Sequence, residues 1–479
     1  PTVPPVQNTI PLGVNLPGCD DWNMGARAKL FVDVMKTARL INTNRWRVLT
    51  TSNNQAQELN WSTSGSRQPK ITGTYLLSWT GAATVTASGA VVNNQLTTAS
   101  GGQCNVVITS DAVDIDLQFS APATNIVMLR PGYPRGTTQT VTNEFIAYAK
   151  PFSTIRFMDA MGTNWADEFD AAERFKSLGA DKKLDWNERA PDSGTYNRAW
   201  GISIEAIVRV ANETKRNPWI NIPWCATDNY VAGLAAYLKA NLDPALAVYF
   251  EWGNENPWNS AYGFYHSSLV ISEAKAYVTS GALPKLDDPA ENEWYLGARW
   301  VFMRTVNASD IFRTQFGADF DKRIVPIVAS QYANPSYVGN SANWVLRKYP
   351  NHLNYYIKGF AFAPYIGASG GTVDQLLAKL NTDIANRQSF MNNLAKWRGV
   401  ADAYKVKLFL YEAGVDVGQG VNNITNRIAL GYEPRMQSTI DAYLRSCYNT
   451  AGSESLMWFN AICTRDKWGI WGLTDDAVD

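Results

Sequence analysis

Two glutamates stand where the chain turns from apolar to polar. Glu255 closes the run Tyr249-Phe250-Glu251-Trp252-Gly253-Asn254-Glu255, and Glu412 lies in Phe409-Leu410-Tyr411-Glu412-Ala413-Gly414. Each follows a short apolar run of the kind that forms a buried strand. A carboxyl group at the rim of such a dry layer is poorly solvated, which raises its pKa, and a second carboxylate nearby raises it further. Two carboxyls in one site can then divide the work: one keeps its proton as an acid while the other stays ionised as a nucleophile. The competing reading of each is a buried carboxylate that simply pairs with a base. Glu251 is a rival to Glu255, because in a continuing strand both share a face with Gly253 and alternation does not separate them.

A scaffold must bring these two positions together, and the chain alternates in a way that can. Residues 10–15 (IPLGVN) read as a first strand, and 29–40 (KLFVDVMKTARL) as a helix by apolar spacing. From 45 to 140 the texture changes to short β-branched runs (GTYLLSWTG, ATVTASGAVV, CNVVITS, VDIDLQFS, NIVMLR) broken by Gly, Ser and Asn, the spacing of a small antiparallel sandwich. After 150, strands at 152–160, 219–224, 246–255, 324–330, 359–365, 407–414 and 456–462 alternate with helices, among them 202–215, 230–242, 293–316, 374–400 and 435–448. With the first strand this makes eight, which predicts a closed (β/α)8 TIM barrel. The expected organisation is a first strand and helix of the barrel at 1–45, an inserted β-sandwich at 46–140, and the rest of the barrel at 141–479. A doubly wound sheet is the alternative, but no GxGxxG or P-loop follows any strand. Reactive side chains of such barrels stand at the carboxyl ends of strands, which is where both glutamates fall.

With Asn254-Glu255 after the fourth strand and Glu412 after the seventh, the sequence resembles clan A of the glycoside hydrolases, the retaining (β/α)8 enzymes. The resemblance covers about 1–45 and 140–479 and leaves the inserted module outside it. It implies that Glu255 is acid/base, that Glu412 attacks the anomeric carbon, and that Asn254 hydrogen-bonds the sugar 2-hydroxyl. It also implies that Arg156, at the end of the second strand, orients and keeps ionised the nucleophile. A surface salt bridge is the plainer account of that arginine. Tyr365, in Ala363-Pro364-Tyr365, resembles the tyrosine that hydrogen-bonds the nucleophile, and Trp458 the indole under the cleaved sugar, with a core tryptophan as its alternative. The strand ends Ile222-Pro223-Trp224 and Phe362-Ala363-Pro364 lack the histidines many clan members carry there, which marks a divergent branch. The implied activity is retaining hydrolysis of a β-linked polysaccharide, endo-acting on a β-glucan such as cellulose, without metal or organic cofactor. Xylan, mannan, exo action, transglycosylation and a non-catalytic carbohydrate-binding protein stay open.

Composition agrees with a neutral, sugar-like partner. Lys plus Arg and Asp plus Glu both number 43, so no positive field for nucleic acid is present. The 18 Trp and 22 Tyr exceed what core packing usually takes, and indole faces suit pyranose rings. Trp224, Trp258, Trp468 and Trp471 lie at or beyond strand ends and are the candidates to extend a cleft. Only His266 and His352 are present, which argues against a histidine-rich zinc site. The odd set Cys19, Cys104, Cys225, Cys447 and Cys463 has no CxxC, and leaves room for a Cys447–Cys463 disulfide. No apolar run is long enough to span a membrane. The start Pro1-Thr2-Val3-Pro4-Pro5 reads as a linker or trimmed mature end, and the Ser/Thr/Asn-rich texture points to a secreted or extracytoplasmic protein. Gly367-Ala368-Ser369-Gly370-Gly371 fits a nucleophile-elbow pattern, but both histidines precede it and a loop is the better account.

Overall fold

A computed structural model describes residues 11–51, 67–164, 183–196, 200–255, 257, 265–287, 292–386 and 389–478. Eight parallel strands close into a barrel: β1 (Leu12–Asn15), β2 (Thr154–Arg156), β3 (Asn217–Ile222), β4 (Val248–Trp252), β5 (Ile324–Ala329), β6 (Gly359–Phe362), β7 (Lys407–Ala413) and β8 (Ser455–Trp458). They neighbour one another in chain order, and β8 pairs back onto β1, with Gly13 opposite Met457. Alternation along each strand makes two apolar layers. Inward residues Trp219, Ile327, Ala361, Phe409, Tyr411 and Met457 fill the interior. Outward ones such as Val14, Ile220, Phe250 and Phe360 pack under the helices. Gly13 and Gly359 are required by this filling: a Cβ on either would sit 2.3 Å from Met457 Sδ or 2.4 Å from the Phe409 ring.

The helices begin where local chemistry satisfies their first N–H groups. Ser203 caps Ile204–Thr214, Thr227 caps Asp228–Asn241, and Asn292 caps Glu293–Phe316. The stretch expected as one helix over 374–400 is two, Val373–Ala385 and Phe390–Tyr404, the first opened by a Thr372/Gln375 capping box.

Between β1 and β2 lie two four-stranded antiparallel sheets. One runs in the order Arg39–Asn42, Arg45–Leu49, Ile115–Phe119, Val85–Ser88, the other Val91–Thr97, Gly101–Ile108, Gly73–Thr80, Thr124–Leu129. Their apolar residues share one cluster, including Leu49, Leu117 and Phe119 from the first and Leu77, Trp79 and Val106 from the second. Trp79 meets Phe119 edge-on at 5.5 Å.

The expected helix at 29–40 is not formed. Phe31 bridges Val141, Asp33 bridges Leu129, a single 3-10 turn spans Val34–Thr37, and Arg39–Asn42 is already the first strand of the inserted sheets. The Asp33 carboxylate accepts from Met35 N at 3.1 Å and from Met128 N at 2.9 Å, so pairing with distant chain wins over helical spacing. Antiparallel strand therefore begins already at Arg39. A π-helical turn, Asp21–Arg27, capped by Asp20, follows β1 instead. Cys447 and Cys463 are buried free thiols, so the Cys447–Cys463 bridge is not made. Among the described residues no helix is long and apolar enough to cross a membrane.

The carboxyl-terminal segment folds back over the barrel. Ala461 N donates to Asn15 O at 2.8 Å, and Tyr148 Oη to Ala461 O at 2.7 Å. Asp476 forms a buried ion pair with Lys29 and accepts from Lys70 N at 2.7 Å. Burial pulls the Lys29 ammonium down to about 8 against the opposing pull of Asp476.

Candidate active site

β2 ends in a fully buried arginine that organises the barrel mouth. Arg156 Nη1 donates to Glu412 Oε1 at 2.8 Å and to Asn15 Oδ1 at 2.9 Å. Its Nε donates to Glu251 Oε1 at 2.9 Å, and its Nη2 both to that oxygen and to Asn254 Oδ1, the latter at 2.7 Å. The guanidinium is thus engaged on every nitrogen, a geometry a lysine cannot supply. These partners drive its pKa upward despite burial.

Glu251 is inward on β4 and 1% exposed, and it also accepts from Asn221 Nδ2. It serves as the buried counter-charge of Arg156, which separates it from Glu255. β4 ends at Trp252, and the chain then turns. Gly253 has φ +66°, donates to Ile222 O at 2.7 Å, and its carbonyl accepts from Asn221 Nδ2 at 2.8 Å. Glu255 itself holds φ +51°, a left-handed conformation that costs a non-glycine residue about 1 kcal/mol or more. The strand alternation invoked for Glu251 and Glu255 therefore stops short of Glu255. Asn254 is buried, its Nδ2 donating to Asn164 Oδ1 at 3.1 Å.

The two outer carboxyls receive different partners. Glu412 accepts from Arg156 and, at 3.0 Å on Oε2, from Tyr365 Oη. Glu255 accepts from Tyr411 Oη at 2.7 Å. Burial pushes the Glu255 carboxyl up to about 8, and the Glu412 charge adds to the rise. One guanidinium faces three carboxyls, Glu251, Glu255 and Glu412, and burial raises the Glu251 carboxyl as well, against the pull of Arg156. Burial and these carboxylates hold the Tyr365 and Tyr411 phenols well above their usual range, so both stay donors.

Arg156, Asn254, Tyr365 and Glu412 thus form one hydrogen-bonded cluster, although Tyr365 lies three residues past the end of β6, and Glu255 bears on it through the charges of Glu412 and Arg156. The tryptophans divide. Trp471 is half-buried with its ring 5.6 Å from that of Tyr365, and its Nε1 donates to Trp468 O at 2.8 Å. Trp468 is 49% exposed. Trp458 is buried, edge-on to Tyr443 at 6.4 Å, with Nε1 donating to Trp471 O at 3.3 Å. Trp224, expected to extend a cleft, is also buried, against a cavity of about 30 Å³ lined by Met161, Arg189, Trp200 and Cys225 that contains neither outer carboxyl. These two present little indole face. Trp258 lies outside the described residues. Gly367 closes a two-residue strand paired with Val415–Asp416, and 368–371 is a loop whose Gly370 carbonyl accepts from Lys379 Nζ at 3.0 Å.

Sequence reasoning missed Tyr411, Asn15, Asn221 and Asn164. For Asn15 and Asn221 a signal exists: each is a polar residue at an inward position of an otherwise apolar buried strand. Among the described residues no group of three or more His, Cys, Asp or Glu is placed to hold a metal ion.

The fold and site define a closed (β/α)8 barrel carrying a paired-carboxyl centre at the carboxyl ends of β4 and β7. No family model matches the sequence, and no curated protein matches it. Among solved structures, similarity extends to the N-terminal modules of endo-1,4-β-D-xylanase 10B from Clostridium thermocellum in complex with xylohexaose, at 9% identity and TM-score 0.33, covering 93% of this chain and 90% of that one. A thermostable xylanase mutant from Cellvibrio japonicus is 10% identical at TM-score 0.35, covering 67% of this chain and 82% of that one. The catalytic domain of a β-amylase from Paenibacillus polymyxa is 10% identical at TM-score 0.33, covering 66% and 87%. Likeness this distant carries no argument about chemistry. The barrel assignment rests on this chain's own strand pairing.

Proposed function

We propose that this protein is a divergent clan A glycoside hydrolase that cleaves a β-linked polysaccharide with retention. The observation that carries the reading is the asymmetric treatment of two carboxyls in one barrel mouth. Glu412 is gripped by Arg156 and Tyr365, while Glu255 accepts from Tyr411 and its carboxyl is pushed up to about 8.

In the first half-reaction the Glu412 carboxylate attacks the anomeric carbon while Glu255 gives its proton to the departing glycosidic oxygen. The carbon–oxygen bond breaks, and a glycosyl ester on Glu412 forms. Glu255, now ionised, then takes a proton from water as that water attacks the same carbon and frees Glu412. Arg156 and Tyr365 orient the nucleophile throughout. Asn254 is assigned to the sugar 2-hydroxyl, and Trp471 and Trp468 to ring contacts along the substrate. The polymer is proposed to be a β-glucan, met outside the cytoplasm. The two inserted sheets are read as a small sandwich that braces the barrel.

The test is a panel of β-glucans, xylans, mannans and aryl β-glycosides with reducing ends quantified, alongside Glu255→Gln and Glu412→Gln. Turnover by wild type, lost in both variants while glycan binding survives, supports the reading. Binding without turnover by wild type assigns a carbohydrate-binding protein instead. NMR of the first product distinguishes retention from inversion.

A further inference from the structure

Tyr411 is the side chain this chemistry leaves without a task. β7 slips against β8 at its carboxyl end: Leu410 opposes Leu456, yet Ala413 opposes Trp458, so β7 carries one extra residue there. In a regular strand Tyr411 and Glu412 would face opposite sides. An extra residue breaks the alternation and re-aims side chains. Tyr411 continues the inward layer begun by Phe409, and Glu412 turns inward as well to reach Arg156. Leu410 and Ala413 pack outward. The bulge therefore delivers two neighbouring residues to the two different carboxyl functions of the site.

The phenol is also well fixed. Tyr411 is 1% exposed, and its ring centre lies 5.0 Å from the Arg156 guanidinium carbon. Its hydroxyl reaches Glu255 Oε1 from across the barrel at 2.7 Å. We infer that Tyr411 is a positioning residue for Glu255, holding that carboxyl over the mouth and donating to it in both of its protonation states.

The bond is neutral while Glu255 is an acid and becomes charge-assisted once the proton has left for the glycosidic oxygen. Tyr411 therefore favours the product of proton transfer over its starting state, the differential that accelerates a step. The other charged or titratable groups bearing on Glu255 are Glu412 on the same strand, Arg156 on β2, Glu251 on β4 and Tyr365 beyond β6. Of these, Arg156 opposes the rise of the Glu255 pKa, as does the Tyr411 hydrogen bond, while Glu412 and Glu251 add to it.

The inference rests on Glu255 being the acid/base, and Tyr411→Phe tests it while leaving the ring to fill the barrel. With leaving groups that need protonation, kcat/KM should fall on the order of tenfold, the worth of a hydrogen bond to a charged group. The loss should be several-fold smaller with dinitrophenyl glycosides, whose leaving group departs unaided, and the basic limb of the pH profile should move upward. Equal losses on both substrates with an unmoved limb would mean a merely structural tyrosine and overturn the inference. A second measurement needs no turnover: ¹³C NMR titration of labelled glutamate carboxyls, with Glu255→Gln assigning the signal. An upward shift of the Glu255 midpoint in Tyr411→Phe supports the inference, and an unchanged midpoint refutes it. If wild type cleaves no glycoside, the functional reading fails, and the titration still decides whether Tyr411 governs Glu255.

Discussion

Arg156 and Glu412 meet at 2.8 Å in the barrel mouth, and the same guanidinium is held from its other edge by Glu251. The pair is therefore part of a buried network with one positive centre, and its removal has consequences beyond catalysis.

Arg156→Ala should unfold more easily as well as lose activity. It strands Glu251 and Glu412 without their counter-charge in a dry site, a change that costs roughly 3–5 kcal/mol. Urea unfolding at pH 7 would measure this. Arg156→Lys should recover part of the stability and little of the activity, because one ammonium cannot replace a fork that serves four acceptors.

The Glu255 carboxyl, pushed up to about 8, gives activity a basic limb. In free enzyme kcat/KM should decline as pH rises through about 8, where the acid loses its proton. A rate profile from pH 4 to 10 on an aryl glycoside with a poor leaving group checks this.

The same group bears on stability with a defined sign. Its folded pKa lies above the ordinary carboxyl value of 4.5, so the fold binds the proton more tightly than the unfolded chain does. That contribution is complete below 4.5 and is lost as pH climbs toward about 8. Glu255→Gln, which cannot ionise, should match wild type near pH 4 and exceed it by up to about 5 kcal/mol at pH 9, the rise from 4.5 to about 8 being worth about 1.4 kcal/mol per pKa unit. Thermal melts across that range would show the two curves diverging with pH.

Asp476→Asn tests the clamp made by the carboxyl-terminal segment. Without the carboxylate, Lys29 either sits unpaired in a buried position or gives up its proton, at a cost of about 3 kcal/mol. The melting temperature should fall, and fall less at pH 9 than at pH 6, since Lys29 already titrates at about 8.

Trp471→Ala and Trp468→Ala should weaken polymer binding more than hydrolysis of a small aryl glycoside. KM on polysaccharide should rise about five- to tenfold, the loss of about 1–1.5 kcal/mol of aromatic contact. Trp224→Phe should leave both KM values alone, because Trp224 is buried.

Much of this site is legible from residue order. Glu255 and Glu412 stand out as acidic residues closing apolar runs, and the helix expected over 293–316 forms as Glu293–Phe316. What is hidden depends on partners far along the chain. Residues 29–40 have helical spacing but pair with Val141 and Leu129, a hundred residues on, so no local window reveals their conformation. Tyr411 is hidden for a related reason. Its inward aim depends on a ladder slip between Leu410 and Ala413, and a bulge leaves no mark on the pattern of apolar residues. Trp224 and Trp458 show the limit of reading exposure from position, since strand-end tryptophans serve packing as readily as binding.

Ring closure places a temporal demand on this chain. β1 emerges first during synthesis, yet one flank waits for β2 beyond the inserted sheets and the other for residues Leu456–Trp458 near the carboxyl end. Until those last residues leave the ribosome the sheet has two open margins, each able to recruit a strand from another nascent chain. A chain ended before residue 455 would therefore carry an unclosed sheet with both margins exposed.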